Sequence, residues 1–177
     1  VDCPGGINFT HPDFALMCAR TGLLAGAKSW FYTSYDRCNT WDGPFRLPMF
    51  GQSGIAARTD YLVSGTQECT LFLTAAKSNG DEGRIFCART TDGGKTFKFL
   101  SWIGPEPEGY AIMPASVRLS EKRILVAVRC HGGDRRAKTE QNWIDLYASD
   151  DDGISWKYMN RPVDKTGMGG NPPAMIK

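Results

Sequence analysis

The sequence predicts an all-β protein: a β-propeller of four-stranded antiparallel blades, with about three blades in the chain. Two repeats and one absence carry that prediction. The first repeat is an eight-residue pattern, Ser/Thr-x-Asp-x-Gly-x-Ser/Thr-aromatic. It stands at residues 90–97 (TTDGGKTF) and 149–156 (SDDDGISW), and in degraded form at 34–41 (SYDRCNTW), where Cys38 replaces the glycine. Its aspartates, Asp36, Asp92 and Asp151, lie 56 and 59 residues apart. The second repeat runs in step with it, at 11–16 (HPDFAL), 58–63 (RTDYLV), 113–119 (MPASVRL) and 171–176 (NPPAMI). The absence is of any convincing helical pattern. A fixed period announces stacked units, and radial repetition of four-stranded sheets is a propeller.

Taken in order, residues 1–177 read as one propeller domain. The unit 1–50 opens on HPDFAL as an inner strand, continues through KSWFYTS and closes on the degraded turn. The unit 51–109 runs RTDYLV, CTLFLTAA, RIFCARTT, the turn, and a short outer strand within FKFLSW. The unit 110–170 runs MPASVRL, RILVAVRC, WIDLYAS, the turn and WKYMN. NPPAMI then opens a fourth unit at 171–177. Each turn is expected to be a hairpin staple. Its Asp and Ser/Thr side chains bond backbone N–H groups, and Gly94 or Gly153 supplies a left-handed backbone. The closing aromatic (Trp41, Phe97, Trp156) packs beneath, against the next sheet.

Several function classes are excluded. Gly94-Lys95-Thr96 ends like a phosphate-binding loop, but that loop needs a glycine where Arg89 stands, and a helix where a strand follows. With 21 Lys+Arg against 19 Asp+Glu, the net charge of +2 carries no footprint for nucleic acid. The longest aliphatic run, 124–128, is too short to cross a bilayer, so no membrane partner is expected. No secretory leader stands at Val1, and the sequon Asn8-Phe9-Thr10 would matter only in a secreted protein. Six cysteines without a C-x-x-C pair give no zinc site. Cys18, Cys69 and Cys87 sit in apolar strands as buried free thiols. Asp150-Asp151-Asp152 lacks the spaced ligands of a calcium loop. No metal or other cofactor is expected.

The repeated turns resemble the Asp-box, or BNR repeat, of the sialidase (neuraminidase) superfamily, and the order of parts is similar to that of bacterial sialidase-like propellers over essentially the whole chain. The resemblance implies a ring of usually six blades. Three units then imply either part of a longer chain or a second copy closing the ring. It also implies a glycoside hydrolase acting on a carbohydrate, an acidic sugar, at the propeller axis. The alternatives are a polysaccharide lyase on the same fold and a non-catalytic sugar- or protein-binding propeller.

Inner strands line the axis of a propeller, and sites lie where those strands begin. The staples lie at the other end, so Asp36, Trp41, Asp92, Gly94, Phe97, Asp151, Gly153 and Trp156 are structural. The inner-strand starts offer His11, Asp13, Arg58 and Asp60. Arg58 and Asp60 would share a strand face. The ends of the second strands offer Lys77, Arg129 and His131, followed by Asp134, Arg135 and Arg136. The connection IGPEPEGYAIMP adds Glu106, Glu108 and Tyr110. Arg58 with Arg129 would hold the sugar carboxylate in forked bonds. Asp60, or Glu108 with Tyr110, would do proton or nucleophile work, since sialidases use a Tyr nucleophile. In a lyase, His11 or His131 would be the base.

Overall fold

A computed structural model describes residues 1–133 and 139–177. Among them are eleven strands and no helix, in three antiparallel sheets. The first sheet holds β1 (Ala15–Arg20), β2 (Ser29–Ser34) and β3 (Asp42–Arg46). The second holds β4 (Tyr61–Gly65), β5 (Glu68–Ala76), β6 (Glu82–Thr90) and β7 (Lys98–Trp102). The third holds β8 (Tyr110–Arg118), β9 (Ile124–Gly132), β10 (Gln141–Ser149) and β11 (Lys157–Val163). Each sheet is a meander of sequential neighbours, the architecture of a propeller blade.

Two expectations are corrected here. The first sheet has three strands, not four. Residues 8–14 fold into turns closed by His11 N–H to Asn8 O (3.3 Å) and Phe14 N–H to His11 O (3.0 Å). The strand that follows, β1, pairs directly with β2, with Ala15 opposite Ser34. That is the place held by Cys69 opposite Thr90 and Ile124 opposite Ser149. HPDFAL therefore leads into a second-position strand, not an inner one. At the other end, residues 171–177 form no strand.

The cores lie between successive sheets. Phe31, Phe97, Leu71, Leu73, Phe86 and Ala88 pack between the first and second. Phe72, Ile85, Cys87, Val126 and Val128 pack between the second and third. In β5, Leu71 and Leu73 face one way and Phe72 the other, as alternation requires. A sheet covered on both faces reads as a continuous apolar run, which is why CTLFLTAA shows no polar alternation. All six cysteines are free thiols, and Cys3, Cys69, Cys87 and Cys130 are buried.

The three turns share one hydrogen-bond pattern. Ser34, Thr90 and Ser149 each donate a hydroxyl to the aspartate two residues on, at 2.7–2.8 Å. The same hydroxyls accept from the amides of Cys38, Gly94 and Gly153 at 2.8–2.9 Å. Thr40, Thr96 and Ser155 each return an amide at 2.9 Å and a hydroxyl to that aspartate. These bonds favour the carboxylate and hold Asp36, Asp92 and Asp151 at about 2, below the usual range. Gly94 and Gly153 have φ of 85° and 87°, and Cys38 is held at 69°, a left-handed conformation that glycine takes without cost. Two of the closing aromatics, Phe97 and Trp156, pack on the preceding sheet, not the next one. Phe97 meets Phe31 edge-on at 5.4 Å. Trp156 meets Phe72 at 6.2 Å and donates its indole N–H to Ser101 Oγ at 3.0 Å.

Candidate functional site

The end of the sheets opposite these turns carries the irregular connections, 21–28, 77–81 and 103–109. Here the second and third sheets meet closely. A Cβ on Gly83 at the start of β6 would fall 2.4 Å from Tyr110 Cβ, so only glycine lets β8 cross there. The register of β8 on β9 sets Tyr110 opposite His131 and Ile112 opposite Arg129. The His131 ring stacks on Tyr110 with centroids 4.6 Å apart and planes 12° from parallel. Arg129 donates to the Tyr110 hydroxyl at 3.0 Å, to Met113 Sδ at 3.4 Å, and to the Gly169 carbonyl. All three acceptors are neutral, and Arg129 Nε is buried without a partner among the described residues. His131 Nε2 lies 3.6 Å from Glu140 Oε1.

The other expected site residues are placed differently. Arg58 and Asp60 precede β4 and do not pair with each other. Arg58 is ion-paired to Glu82 at the start of β6, with side chains only 13% and 11% exposed. Glu82 engages Nη1 of Arg58, while Arg58 Nε is buried without a partner among the described residues. Asp60 points toward the third sheet instead, where Ser116 donates its amide (3.3 Å) and hydroxyl (3.1 Å) to Oδ1. Asp60 Oδ2 is buried and unpartnered among the described residues. Burial outweighs the Ser116 bonds and pushes the Asp60 carboxyl up to about 6.

His11 and Asp13 stand at the turn end, away from this cluster. The His11 ring meets Tyr35 edge-on at 5.3 Å, and Asp13 pairs with Arg37 at 2.6 Å. Both partners belong to the first repeated turn. Lys77 is 5% exposed and donates to the carbonyls of Pro107 (3.4 Å) and Glu108 (2.8 Å). It pins the connection that carries Glu108 and Tyr110. Glu106 is tied down by Ser78 and Arg84. The Glu108 side chain lies on the exposed surface of that connection. Asp134, Arg135 and Arg136 lie outside the described residues.

Three residues that sequence reasoning missed complete the picture. Glu82 neutralises Arg58. Asn142 anchors the chain after β11, accepting from Thr166 N–H at its carbonyl (2.9 Å) and donating to Gly167 O (3.3 Å). Arg20 stands five residues after Ala15, as Arg129 stands five after Ile124, and donates to the Ala57 carbonyl at 3.3 Å. The counting from each turn could have revealed Arg20.

No protein-family model matches the chain, and no curated protein matches it. Solved structures do match in fold. A protein of unknown function from Dyadobacter fermentans DSM 18053 superposes with a TM-score of 0.69 at 14% identity, covering 96% of this chain and 52% of that one. The NanB sialidase from Streptococcus pneumoniae, in complex with 2-[(3-chlorobenzyl)ammonio]ethanesulfonate, gives 0.56 at 21% identity, over 79% of this chain and 20% of that one. The α-L-arabinofuranosidase Arb93A from Fusarium graminearum, in complex with an iminosugar inhibitor, gives 0.51 at 14% identity, over 85% of this chain and 47% of that one. The chain thus spans about half the length of the first of these, and less of the other two. The likeness defines the class of fold: all-β and propeller-like, of the type seen in sialidases and related glycosidases.

Proposed function

We propose that this protein is a sialidase-type, carbohydrate-active propeller whose repeated turns are Asp-boxes, and that it hydrolyses glycosides of an acidic sugar. Further sheets, from the same polypeptide or from a second copy, would close the ring around the site. The observation that supports this most is Arg129: a guanidinium whose partners among the described residues are all neutral, bonded to a tyrosine hydroxyl at the end where connections gather. Such a group attracts a carboxylate. In this proposal Arg129 seats the sugar carboxylate. Tyr110, whose oxygen accepts from Arg129, is the nucleophile, with Glu108 on the same connection to take the proton. Asp60 is the general acid, its pKa of about 6 keeping a proton in mildly acidic solution. Arg58 serves indirectly, by orienting Glu82. That two of the structural neighbours are glycosidases supports the carbohydrate assignment, although fold alone does not fix chemistry.

The test is release of methylumbelliferone from its N-acetylneuraminic acid, glucuronic acid and arabinofuranose glycosides. Turnover of the acidic glycosides, lost in Arg129→Met, is expected. Turnover of the arabinofuranoside alone, or acidic turnover that survives Arg129→Met, would refute the assignment. A second reading is supported by the same contacts. Arg129, Tyr110 and His131 together could neutralise a uronate carboxylate and remove the proton beside it, with β-elimination of the leaving sugar. An unsaturated, ultraviolet-absorbing product from a polyuronate would identify a lyase.

A further inference from the structure

The chain leaving β11 returns over Arg129. Thr166 N–H and the Gly167 carbonyl are held by Asn142, and the Gly169 carbonyl accepts from Arg129. Gly170 lies directly above this pair. A Cβ there would stand 2.8 Å from Asn142 Oδ1 and 2.9 Å from Arg129 Nε. Yet the segment is lightly held. A Cβ at Gly167 or Gly169 would meet nothing within 4 Å among the described residues, and Met168 is 87% exposed. The seated state also leaves Arg129 Nε and Asn142 Oδ1 buried and unpaired among the described residues, which is costly for polar groups. Arg20 makes an analogous bond in the first sheet, but to Ala57, which is fully buried and whose own amide is bonded to Ser29 Oγ at 3.0 Å. That acceptor is buried; Gly169 lies in an exposed stretch. Beside the segment opens a cleft lined by Glu140, Gln141, Asn142, Arg161, Lys165 and Met168.

We propose that residues 166–170 form a strap whose Gly169 carbonyl occupies the carboxylate seat of Arg129, so that an acidic sugar binds by displacing it. This rests on Arg129 being the anion anchor proposed above. Once the strap lifts, Nε and Nη2 together present the side-on fork that a carboxylate takes in two parallel bonds, and the cleft receives the rest of the sugar. The site is thereby self-masked, and its apparent affinity is reduced by the fraction of molecules with the strap open.

The experiment compares wild type, Gly170→Ala and Asn142→Ala. The alanine Cβ at 170 collides with the seat, and Asn142→Ala removes an anchor from elsewhere, so one variant covers a folding failure of the other. Trypsin cleavage after Lys165 reports strap release without any ligand, and circular dichroism confirms the fold. Calorimetric titration uses N-acetylneuraminate and glucuronate, with glucose as the neutral control. Strap release should tighten both acids about tenfold if the strap is open roughly a tenth of the time, and leave glucose unchanged. Equal acid affinities in wild type and in a variant that trypsin shows to be released would overturn the strap, while leaving the acidic-sugar assignment in place. No acid binding to any released, folded variant would overturn both, because a bared Arg129 would then accept no carboxylate.

Discussion

Asp60→Asn should make the protein more stable at pH 8 and leave it unchanged near pH 4. The native carboxyl titrates near 6 instead of at its ordinary 3.8. The folded state therefore keeps a proton that the unfolded chain gives up, and stability falls as pH rises from about 4 to about 6. At roughly 1.4 kcal/mol per pH unit, the fall is at most about 3 kcal/mol. Solvent reaching this partly exposed residue reduces it, so about 1–3 kcal/mol is the measurable range. Asparagine carries no charge at any of these pH values, and its Oδ1 can still accept from Ser116. Urea unfolding at pH 4.5, 6 and 8 measures the effect: wild-type midpoints should drop across the series while the variant's stay level. If the proposed role as general acid holds, the same substitution abolishes turnover while raising stability. A variant no more stable than wild type at pH 8, or one with the same dependence on pH between 4 and 7, would show that burial does not hold the Asp60 proton.

Other substitutions probe the remaining contacts. Trp156→Ala should cost about 2–3 kcal/mol, below the ~3–5 of a fully buried aromatic, because the ring is half-buried; an unchanged melting temperature would contradict its packing on Phe72. Cys38→Gly should be neutral to stabilising by up to about 1 kcal/mol, since the left-handed conformation penalises a side chain by ~1–2 kcal/mol and glycine's extra unfolded freedom offsets part of the relief. A loss of thermal stability in Cys38→Gly would mean the thiol makes a contact that matters. Arg58→Met should destabilise by about 3–5 kcal/mol by leaving Glu82 buried and alone, and Arg58→Met with Glu82→Leu should recover most of it. If the double variant is no better than the single, Glu82 is not what Arg58 serves. Below pH 4 the three turn aspartates, ionised to about 2 in the folded protein, lose their bonded carboxylates one by one. Replacing any of them with Asn should therefore flatten the acid limb of the stability curve.

The turns were legible because their bonds close within eight residues, and each side chain that makes them is named by the pattern. Sheet two was legible because burial on both faces writes itself as an apolar run. The site was legible only as candidates. Tyr110, Arg129 and His131 come together through the register of β8 on β9, which shifts between Ile112 and Ala115, where Met113 takes a φ of 52°. No spacing rule states such a shift in advance. The Arg58–Glu82 pair was not legible because the two residues are 24 positions apart, with Glu82 at the start of a third-position strand. His11 and Asp13 were misplaced because HPDFAL resembles the inner-strand segments in composition, while its pairing is decided by the turn it packs against.

The middle sheet, covered on both faces and built of strands that pair in sequence order, also bears on how the protein opens. Its amides in β5 and β6 lose protection only when both flanking sheets have peeled away, whereas the exposed β11 can detach alone. Hydrogen exchange should then be graded from the third sheet's outer edge inward, with the slowest amides at Leu71 to Leu73 and Ile85 to Cys87. That is the behaviour of a stack whose units lend each other stability across shared faces, and it makes the second sheet the seed from which refolding spreads.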